Sequence, residues 1–360
     1  MSRVILMHKM KLKPLYPFVS IVILNYNGQK FLKKCLQSVL GSDYENFEII
    51  LVDNGSTDKS LESVKPFDRN PRLKMVCLKE NLGFSRGNNI GASVASGKYI
   101  VFLNNDTVVD REWLKELVSV MERNPNVGAA QPKLLFLGRE DEVQSAGNFI
   151  DTLGFTIPRI RLVEEKEKYN EQVEIAATGA ALIIRRNLFD HIRGFEPRFF
   201  VYYEDTDLSW RVRLAGKSIL FVPSSIVYHA EGAGFSRFKL ALRLTHYVRN
   251  HLFTVLKNYS LKNGLPRLVL LYLFYIAGAT WLAVRKTPEV PINILKALFQ
   301  FLKVFPQCWA SHMIAQATRK VDDKELFESF LKPFNPFRLF QFYRKGMGYI
   351  SVDYARISSN

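Results

Sequence analysis

Residues 19–28 read VSIVILNYNG, an apolar run that stops abruptly at small polar residues. Ser20 is the only polar residue in residues 19–24, and an apolar run of this kind is typical of a strand that is buried on both faces of a parallel sheet. An apolar run followed by small polar residues occurs again at residues 47–56, FEIILVDNGS, and at residues 99–106, YIVFLNND. Between the first two runs, apolar residues from Phe31 to Leu40 recur at helical spacing. This alternation predicts an α/β fold with a doubly wound, mostly parallel sheet.

Small polar or acidic residues follow each of these three strands. In an open α/β sheet, ligands bind in the crevice outside the carboxyl ends of the strands. We therefore expect one polar cleft to collect the side chains that follow the three strands. The residues concerned are 25–28, 53–56 and 104–106.

The formal net charge of +16 over 360 residues indicates a polyanionic partner. Basic residues are spread out and densest near the apolar C-terminal segments, which disfavours nucleic acid and favours an anionic membrane surface. Three cysteines stand far apart without zinc-ligand spacing, and Met1 to Pro17 contain no apolar stretch long enough for a signal peptide. We therefore expect the protein to act on the cytoplasmic face of the cell membrane.

Asp106 is a candidate ligand for Mg²⁺ or Mn²⁺, since such cations are held by one or two carboxylates together with phosphate oxygens. The segment 104–107 equally suits a simple turn with a helix-capping acid. His229, at the end of a strand-like stretch in which Pro223 separates two runs, is a second candidate, although a lone histidine is more often structural. The glycines of residues 231–234 suggest a mobile flap beside it.

Glu204, Asp205 and Asp207 place three acids within four residues. Crowding of carboxylates raises the pKa of at least one of them, which suits a general base. The alternative is an acidic first turn of a helix, which the helix dipole favours. Both hold if Asp207 begins the helix, because Glu204 and Asp205 then lie on a loop that faces the cleft.

Arg86 lies among glycines and asparagines in residues 81–89, NLGFSRGNN. Its guanidinium suits a phosphate or a ribose, and the surrounding composition favours a shaped loop over a solvated helix face. A surface arginine is the alternative. The chain contains neither a phosphate loop of the Walker type nor a dinucleotide-binding glycine fingerprint, which argues against kinases and nicotinamide enzymes.

In order and spacing, these segments resemble the family 2 glycosyltransferases, and their asparagine-rich versions resemble the rhamnosyltransferase-like branch. The segments concerned are residues 19–28, 51–58, 81–84, 103–106 and 204–208 and the final His229. The resemblance covers about residues 18–235. It implies a glycosyltransferase A-type (GT-A) catalytic domain and a reaction that inverts the anomeric centre.

The resemblance also implies how the donor is held. Asp53, with Asn54 beside it, would contact a pyrimidine base, and Tyr26 would line the nucleotide pocket. Asn104 would lie near the ribose. Asn104 stands where the family usually has the first acid of its D-x-D element, so the metal site has one charge fewer.

For the metal and the chemistry, the resemblance makes Asp106 the direct ligand and His229 the residue that completes the metal site. Asp205 would be the general base, with Glu204 as the fallback. The segment 193–196 reads RGFE, where the family usually has glycine, glycine, phenylalanine and aspartate. Since that segment shapes the acceptor site, the acceptor stays open.

Beyond residue 235 the composition becomes apolar. Residues 268–284 contain no charge, near the lower limit of a bilayer span of roughly 20 residues. Residues 290–305 are amphipathic, with Lys296 and Lys303 on one helical face. The segments either span the membrane or lie in its interface, and a helical pair packed on the catalytic domain is the alternative. We expect an N-terminal extension at 1–17, a catalytic domain at 18–235 and a helical, membrane-associating region at 236–360.

The sequence thus predicts an inverting, metal-dependent glycosyltransferase. It would move rhamnose or another hexose from a nucleotide-diphosphate sugar to a glycan or lipid-linked acceptor at a membrane surface. A polyprenyl-phosphate sugar synthase is the alternative within this enzyme class. Outside the class, the alternative is a non-catalytic protein that associates with membranes or binds nucleic acid.

Overall fold

The computed structural model describes residues 16–161, 169–170, 172–230, 240–284 and 289–337. The strands are β1 (Val19–Asn25), β2 (Phe47–Asp53), β3 (Leu73–Cys77), β4 (Tyr99–Asn104), β5 (Thr107–Val109), β6 (Val127–Phe136), β7 (Arg139–Ser145), β8 (Asn148–Asp151), β9 (Thr156–Pro158), β10 (Ala181–Arg185), β11 (Ser218–His229) and β12 (Leu331–Lys332). The α-helices are α1 (Leu32–Leu40), α2 (Ser60–Val64), α3 (Gly83–Ser93), α4 (Trp113–Arg123), α5 (Arg186–His191), α6 (Glu204–Leu214), α7 (Leu240–Asn258), α8 (Leu261–Val284), α9 (Glu289–Lys303), α10 (Phe305–Ala317) and α11 (Asp323–Ser329).

Within the described ranges, nine strands form one main sheet in the order β3-β2-β1-β4-β10-β6-β11-β5, with β7 paired to β6. Strands β3, β2, β1 and β4 are parallel neighbours. The antiparallel β10 joins them to the parallel pair β6 and β11. Six strands therefore run in one direction, and the expected doubly wound, mostly parallel sheet is confirmed.

Apolar cores cover both faces of the sheet. Strands β1, β2 and β4 are buried along almost their whole length, which explains their continuous apolar sequences. Leu36 of α1 and Trp113 of α4 pack on one face, and Leu208 of α6 packs on the other. Because β1, β2, β4 and β11 run in the same direction, their carboxyl ends lie at the same edge of the sheet.

The C-terminal helices share a third core with the sheet domain. Leu252 of α7 and Leu271 of α8 belong to the same apolar cluster as Tyr203 and Trp210 of the α6 region. Among the described residues, α8 is the helix that is long and apolar enough to cross a membrane, with a mean hydropathy of 1.7 and 33% of its apolar window buried.

The expectation that Asp207 begins a helix is wrong, because α6 begins at Glu204. Glu204 and Asp205 thus lie in the first helical turn. The Asp207 carboxylate does not cap the helix: it forms buried ion pairs with Arg211 at 2.7 Å and with Lys257 at 3.0 Å. Both cations contact Oδ2, and Oδ1 accepts a hydrogen bond from Asn258 Nδ2 at 3.1 Å, so neither oxygen is left for capping.

The loop expected around Arg86 and the division expected at Pro223 are also corrected. Residues 83–93 form α3, whose start is fixed by Asn54 Oδ1, which accepts a hydrogen bond from Leu82 N at 2.9 Å. Residues 218–229 form a single strand, β11, because an irregularity between Val222 and Ile226 absorbs the proline. The flap suggested for residues 231–234 lies outside the described residues.

Candidate active site

A cavity of about 420 Å³ opens at the carboxyl edge of the sheet. Its wall includes Tyr26, Asn54, Asn104, Asp106 and His229, all of which the sequence marked as site residues. These residues follow β1, β2 and β4 or end β11, so the topology brings them together. Phe84, Phe200 and Val201 add an apolar side to the wall.

Asp106 and His229 form a close pair in the wall of this cavity. Asp106 Oδ1 lies 3.1 Å from His229 Nε2, and both residues are buried. The pairing of β5 with β11 sets their positions, since Thr107 is the register partner of His229. Burial by itself raises the pKa of the Asp106 carboxyl, but the neighbouring His229 outweighs burial and the pKa is lowered.

Gln144 of β7 orients the imidazole ring of His229. Its Oε1 lies 2.8 Å from His229 Nδ1 and accepts the Nδ1 proton, which turns Nε2 toward Asp106. A proton on Nε2 bridges to the Asp106 carboxylate here, and its loss would free Nε2 to ligate a cation. A metal-ligating histidine usually has such a partner on its other nitrogen. Nothing in the sequence singled out Gln144, because β7 is a polar strand without apolar alternation.

The donor set fits a hard cation that completes its shell with substrate oxygens. Asp106 offers a carboxylate oxygen and His229 an oriented nitrogen, and the Asn104 amide nitrogen lies 3.5 Å from His229 Nε2. In the part of the chain that the structure describes, no three His, Cys, Asp or Glu side chains converge on one point. Mg²⁺ and Mn²⁺ commonly bind one or two protein ligands plus phosphate oxygens.

Asp53 supports the cavity wall from behind. It is buried, and its two oxygens accept hydrogen bonds from Asn25 Nδ2 at 2.9 Å and Ser56 N at 3.1 Å. Asn54 does reach the wall, where its Nδ2 donates to Asn81 Oδ1 at 2.9 Å. Arg86 is exposed on α3 and is not part of the cavity wall.

Asp205 and Glu204 lie beside the cavity and differ in their hydrogen bonds. Asp205 accepts from Gly179 N at 3.0 Å, from Thr206 N at 2.7 Å and from Thr206 Oγ1 at 3.2 Å. Glu204 is buried, and its Oε2 has no hydrogen-bond partner among the described residues. Desolvation and then the Asp205 charge raise the pKa of Glu204 to about 8.

Asp205 keeps partial solvent exposure, but the surrounding protein desolvates its carboxylate and raises its pKa despite the three hydrogen bonds. Neither acid belongs to the cavity wall, whereas Val201, shortly before Glu204, does. Gly179 links the two: its N–H donates to Asp205 Oδ2 at 3.0 Å, and its Cα faces Phe84 of the wall. Asp205 is therefore one residue away from the wall.

Two aromatic residues of the wall, Phe84 and Phe200, are not among the site residues that the sequence predicts. Phe84 N donates to the carbonyl of Phe200 at 2.8 Å, which joins the start of α3 to the segment before α6. The aromatic run at residues 199–203, FFVYY, directly before the acids was the available signal. Aromatic faces next to polar groups are typical of ligand pockets.

Residues 20–193 match the family model described as glycosyl transferase family 2. Over these 174 residues, just under half of its length, the chain is similar to that family. The chain is 34% identical over 226 residues to the O-antigen biosynthesis protein RfbC of Myxococcus xanthus, which covers 60% of this chain and 18% of that protein. It is 27% identical over 227 residues to glycosyltransferase GlyG of Streptococcus pneumoniae, and the aligned residues cover 60% of this chain and 71% of GlyG. The chain thus spans a small part of the first of these relatives.

Solved structures share the fold of the glycosyltransferase domain. TarS 1–349 of S. aureus, in complex with UDP-GlcNAc, has a TM-score of 0.55 at 17% identity, covering 84% of this chain and 89% of that one. GalNAc-T7 with UDP, GalNAc and Mn²⁺ has a TM-score of 0.56 at 20% identity, covering 68% of this chain and 48% of that one. The expected GT-A fold with a C-terminal helical region is confirmed.

Proposed function

We propose that this chain is an inverting glycosyltransferase that moves rhamnose or another hexose from a nucleotide-diphosphate sugar to a glycan or lipid-linked acceptor. The observation that carries the proposal is the polar cavity at the carboxyl edge of the sheet, where Tyr26, Asn54 and the Asp106–His229 pair meet. The names of relatives in O-antigen and poly-N-acetylglucosamine synthesis support a glycan acceptor. A polyprenyl phosphate is the alternative acceptor.

Asp106 and His229 would hold a divalent cation, Mg²⁺ or Mn²⁺, against the donor diphosphate. When bound, the cation supplies Lewis-acid stabilisation of the departing diphosphate. GalNAc-T7 and a mannosyltransferase of Pyrobaculum calidifontis were solved with Mn²⁺, which supports a metal role for the pair. Tyr26 and Asn54 would face the nucleotide, with Asn104 near the ribose.

Asp205 is the proposed general base. Its three hydrogen bonds favour the ionised form, whereas Glu204 Oε2 has no partner among the described residues and has a pKa of about 8. The hydrogen bonds therefore make Asp205 the acid of the pair that ionises more readily, and Glu204 the acid that more readily keeps a proton. Asp205 takes the acceptor hydroxyl proton while the acceptor oxygen bonds to the anomeric carbon and the bond to the diphosphate breaks.

A membrane surface is the proposed place of action. From residue 240 to residue 321, Glu289 is the single acid against eleven lysines and arginines. The outward side of α8 and α9 exposes apolar side chains along its length, including Val269, Leu273, Ile276, Leu295, Phe299 and Leu302. An apolar face with a basic surround suits the anionic cytoplasmic leaflet.

Product analysis tests the reaction. The purified chain would be incubated with Mn²⁺, uridine, thymidine or guanosine diphosphate sugars, and either lipid-linked glycan or polyprenyl phosphate. Transfer to the glycan supports the proposal, and transfer to the phosphate alone favours the synthase. Donor binding without transfer to any acceptor would contradict both.

Flotation with vesicles tests the membrane role. The native chain should float with phosphatidylglycerol vesicles, and the pair Leu273→Glu with Phe299→Glu should stay in solution, because both side chains are exposed and apolar. Val94→Glu is the matched control, since Val94 is 45% exposed on the remote sheet domain. Equal flotation of all three proteins would exclude this face as the contact.

A further inference from the structure

We infer that Asn250, on helix α7 of the C-terminal region, positions the Glu204–Asp205 acid pair of the active site. The inference rests on the proposed function, because it assigns Asn250 a part in the same reaction. It makes α7 a component of the catalytic unit and not only a link to the membrane-facing helices.

The segment before the acids has an unusual backbone. Tyr202 has a φ of 69° and Tyr203 a φ of 68°, so two successive aromatic residues lie in the left-handed region. L side chains rarely adopt this conformation, because Cβ approaches the carbonyl oxygen too closely. Such residues persist only where the surrounding structure holds them, and they cluster at functional sites. The first turn of α6, with both acids, follows directly.

Asn250 holds this turn through two side-chain hydrogen bonds. Its Nδ2 donates to the carbonyl of Val201 at 3.0 Å and to the carbonyl of Tyr202 at 2.8 Å. The residue is fully buried, and its Oδ1 accepts from Arg249 Nε at 3.0 Å, which fixes the direction of the amide. Both amide protons are therefore used on the strained turn.

The same turn connects the cavity wall to the base. Val201 lines the cavity, and Asp205 keeps its hydrogen bond to Gly179 N only while the first turn of α6 is correctly oriented. Tyr203 locks the turn laterally, since its ring stacks on His251 of α7 with centroids 5.0 Å apart. Releasing the two carbonyls would let the turn rotate and would move the Asp205 carboxylate.

Lys257, two helical turns farther along α7, holds both flanks of the segment. Its Nζ lies 2.9 Å from Glu196 Oε2 and 3.0 Å from Asp207 Oδ2. Asn258 adds a hydrogen bond to Asp207 Oδ1 at 3.1 Å. Lys257 thus holds the two ends of the segment between residues 196 and 207, and Asn250 holds two carbonyls in its middle.

The test compares Asn250→Ala with Thr254→Val in steady-state turnover, donor calorimetry and thermal unfolding. Thr254 is a matched control: it is buried on the same helix, and its Oγ1 has no hydrogen-bond partner among the described residues. We expect Asn250→Ala to lower kcat by roughly 10–100-fold, since small misplacements of catalytic groups have effects of this size. The donor dissociation constant should change much less than kcat, because Asn250 itself does not line the cavity, and Thr254→Val should keep native kcat.

The pH profile adds a readout that a purely structural role would not change. If the turn rotates, Asp205 loses the hydrogen bond from Gly179 N that favours its ionised form, and its pKa rises further. The acidic limb of kcat should then move to higher pH in Asn250→Ala. Asn250→Ser, which keeps one donor, should recover part of the kcat and of the limb position.

Several outcomes would overturn the inference. One is a native kcat in Asn250→Ala. Another is a parallel fall in kcat, donor affinity and melting temperature in that variant, which would indicate general destabilisation. Failure of both Asn250 variants to fold would assign the residue to folding. If the native chain itself transfers no sugar, the proposed function fails. If the native chain and Asn250→Ala are equally active, only the role of Asn250 fails.

Discussion

Replacing Asp205 by asparagine separates the two acids of the site. The substitution keeps the shape of the side chain and one acceptor oxygen, but it removes the charge and brings an amide nitrogen toward a hydrogen-bond donor. Either Gly179 N, at 3.0 Å, or Thr206 N, at 2.7 Å, then loses its acceptor. One unmade hydrogen bond costs about 1–3 kcal/mol, and loss of the desolvated charge offsets part of this, so we expect the fold to persist.

The expected loss of turnover is much larger than the loss of stability. General-base assistance contributes typically about 10²–10⁴ in rate, which corresponds to roughly 3–5 kcal/mol of barrier height. Donor binding should change little, because Asp205 does not line the cavity. Glu204 cannot substitute fully, because desolvation and the Asp205 charge raise the pKa of its carboxyl and favour its protonated form.

The assay is steady-state sugar transfer with calorimetry of donor binding, on Asp205→Asn and, in parallel, Glu204→Gln. Glu204→Gln mimics the protonated side chain and should lose less than about tenfold in kcat. A reversed order, in which Glu204→Gln is the more damaged variant, would refute Asp205 as the base. Turnover of Asp205→Asn within a few-fold of the native protein would refute base catalysis by this pair.

Three further predictions concern metal, pH and stability. Asp106→Ala and His229→Ala should abolish the Mn²⁺-dependent gain in donor affinity measured by calorimetry, and an undiminished gain would exclude the pair as ligands. The kcat of the native protein should fall as pH drops through the Asp205 pKa, which desolvation raises above its ordinary value of 3.8; a pH profile that is flat to pH 4 would contradict this. The pKa of Glu196 is lowered to about 2, with burial opposing and Lys257 and Arg198 favouring the charge. Its contribution to stability is therefore present above its ordinary pKa of 4.5 and lost as pH falls toward 2, and Glu196→Gln should remove that part of the acid dependence in thermal unfolding.

The sheet and the composition of the cleft were predictable because both follow from local patterns. Strands buried on two faces have continuous apolar sequences, and parallel strands end at a common edge, so Asn54, Asn104 and Asp106 were expected to meet. The family 2 resemblance then gave roles to these positions. The metal and base assignments stay predictions until the experiments above are done.

Features that depend on distant partners were not predictable. The start of α6 at Glu204 depends on a left-handed turn whose support, Asn250, lies 48 residues from Tyr202. Likewise, the start of α3 depends on Asn54, 28 residues before Leu82, and local composition around Arg86 therefore predicts a loop where the structure has a glycine-rich helix. Gln144 is 85 residues from His229, and no periodicity marks it.

The most direct test of the metal-dependent donor site is a crystal grown with Mn²⁺ and the nucleotide-diphosphate sugar that gives the largest thermal shift. Anomalous scattering at the manganese edge locates the cation without reference to the protein geometry. We expect one peak bonded to Asp106, His229 and the diphosphate, with the nucleotide against Tyr26 and Asn54. A nucleotide bound elsewhere, or a manganese peak away from Asp106 and His229, would contradict the proposed site.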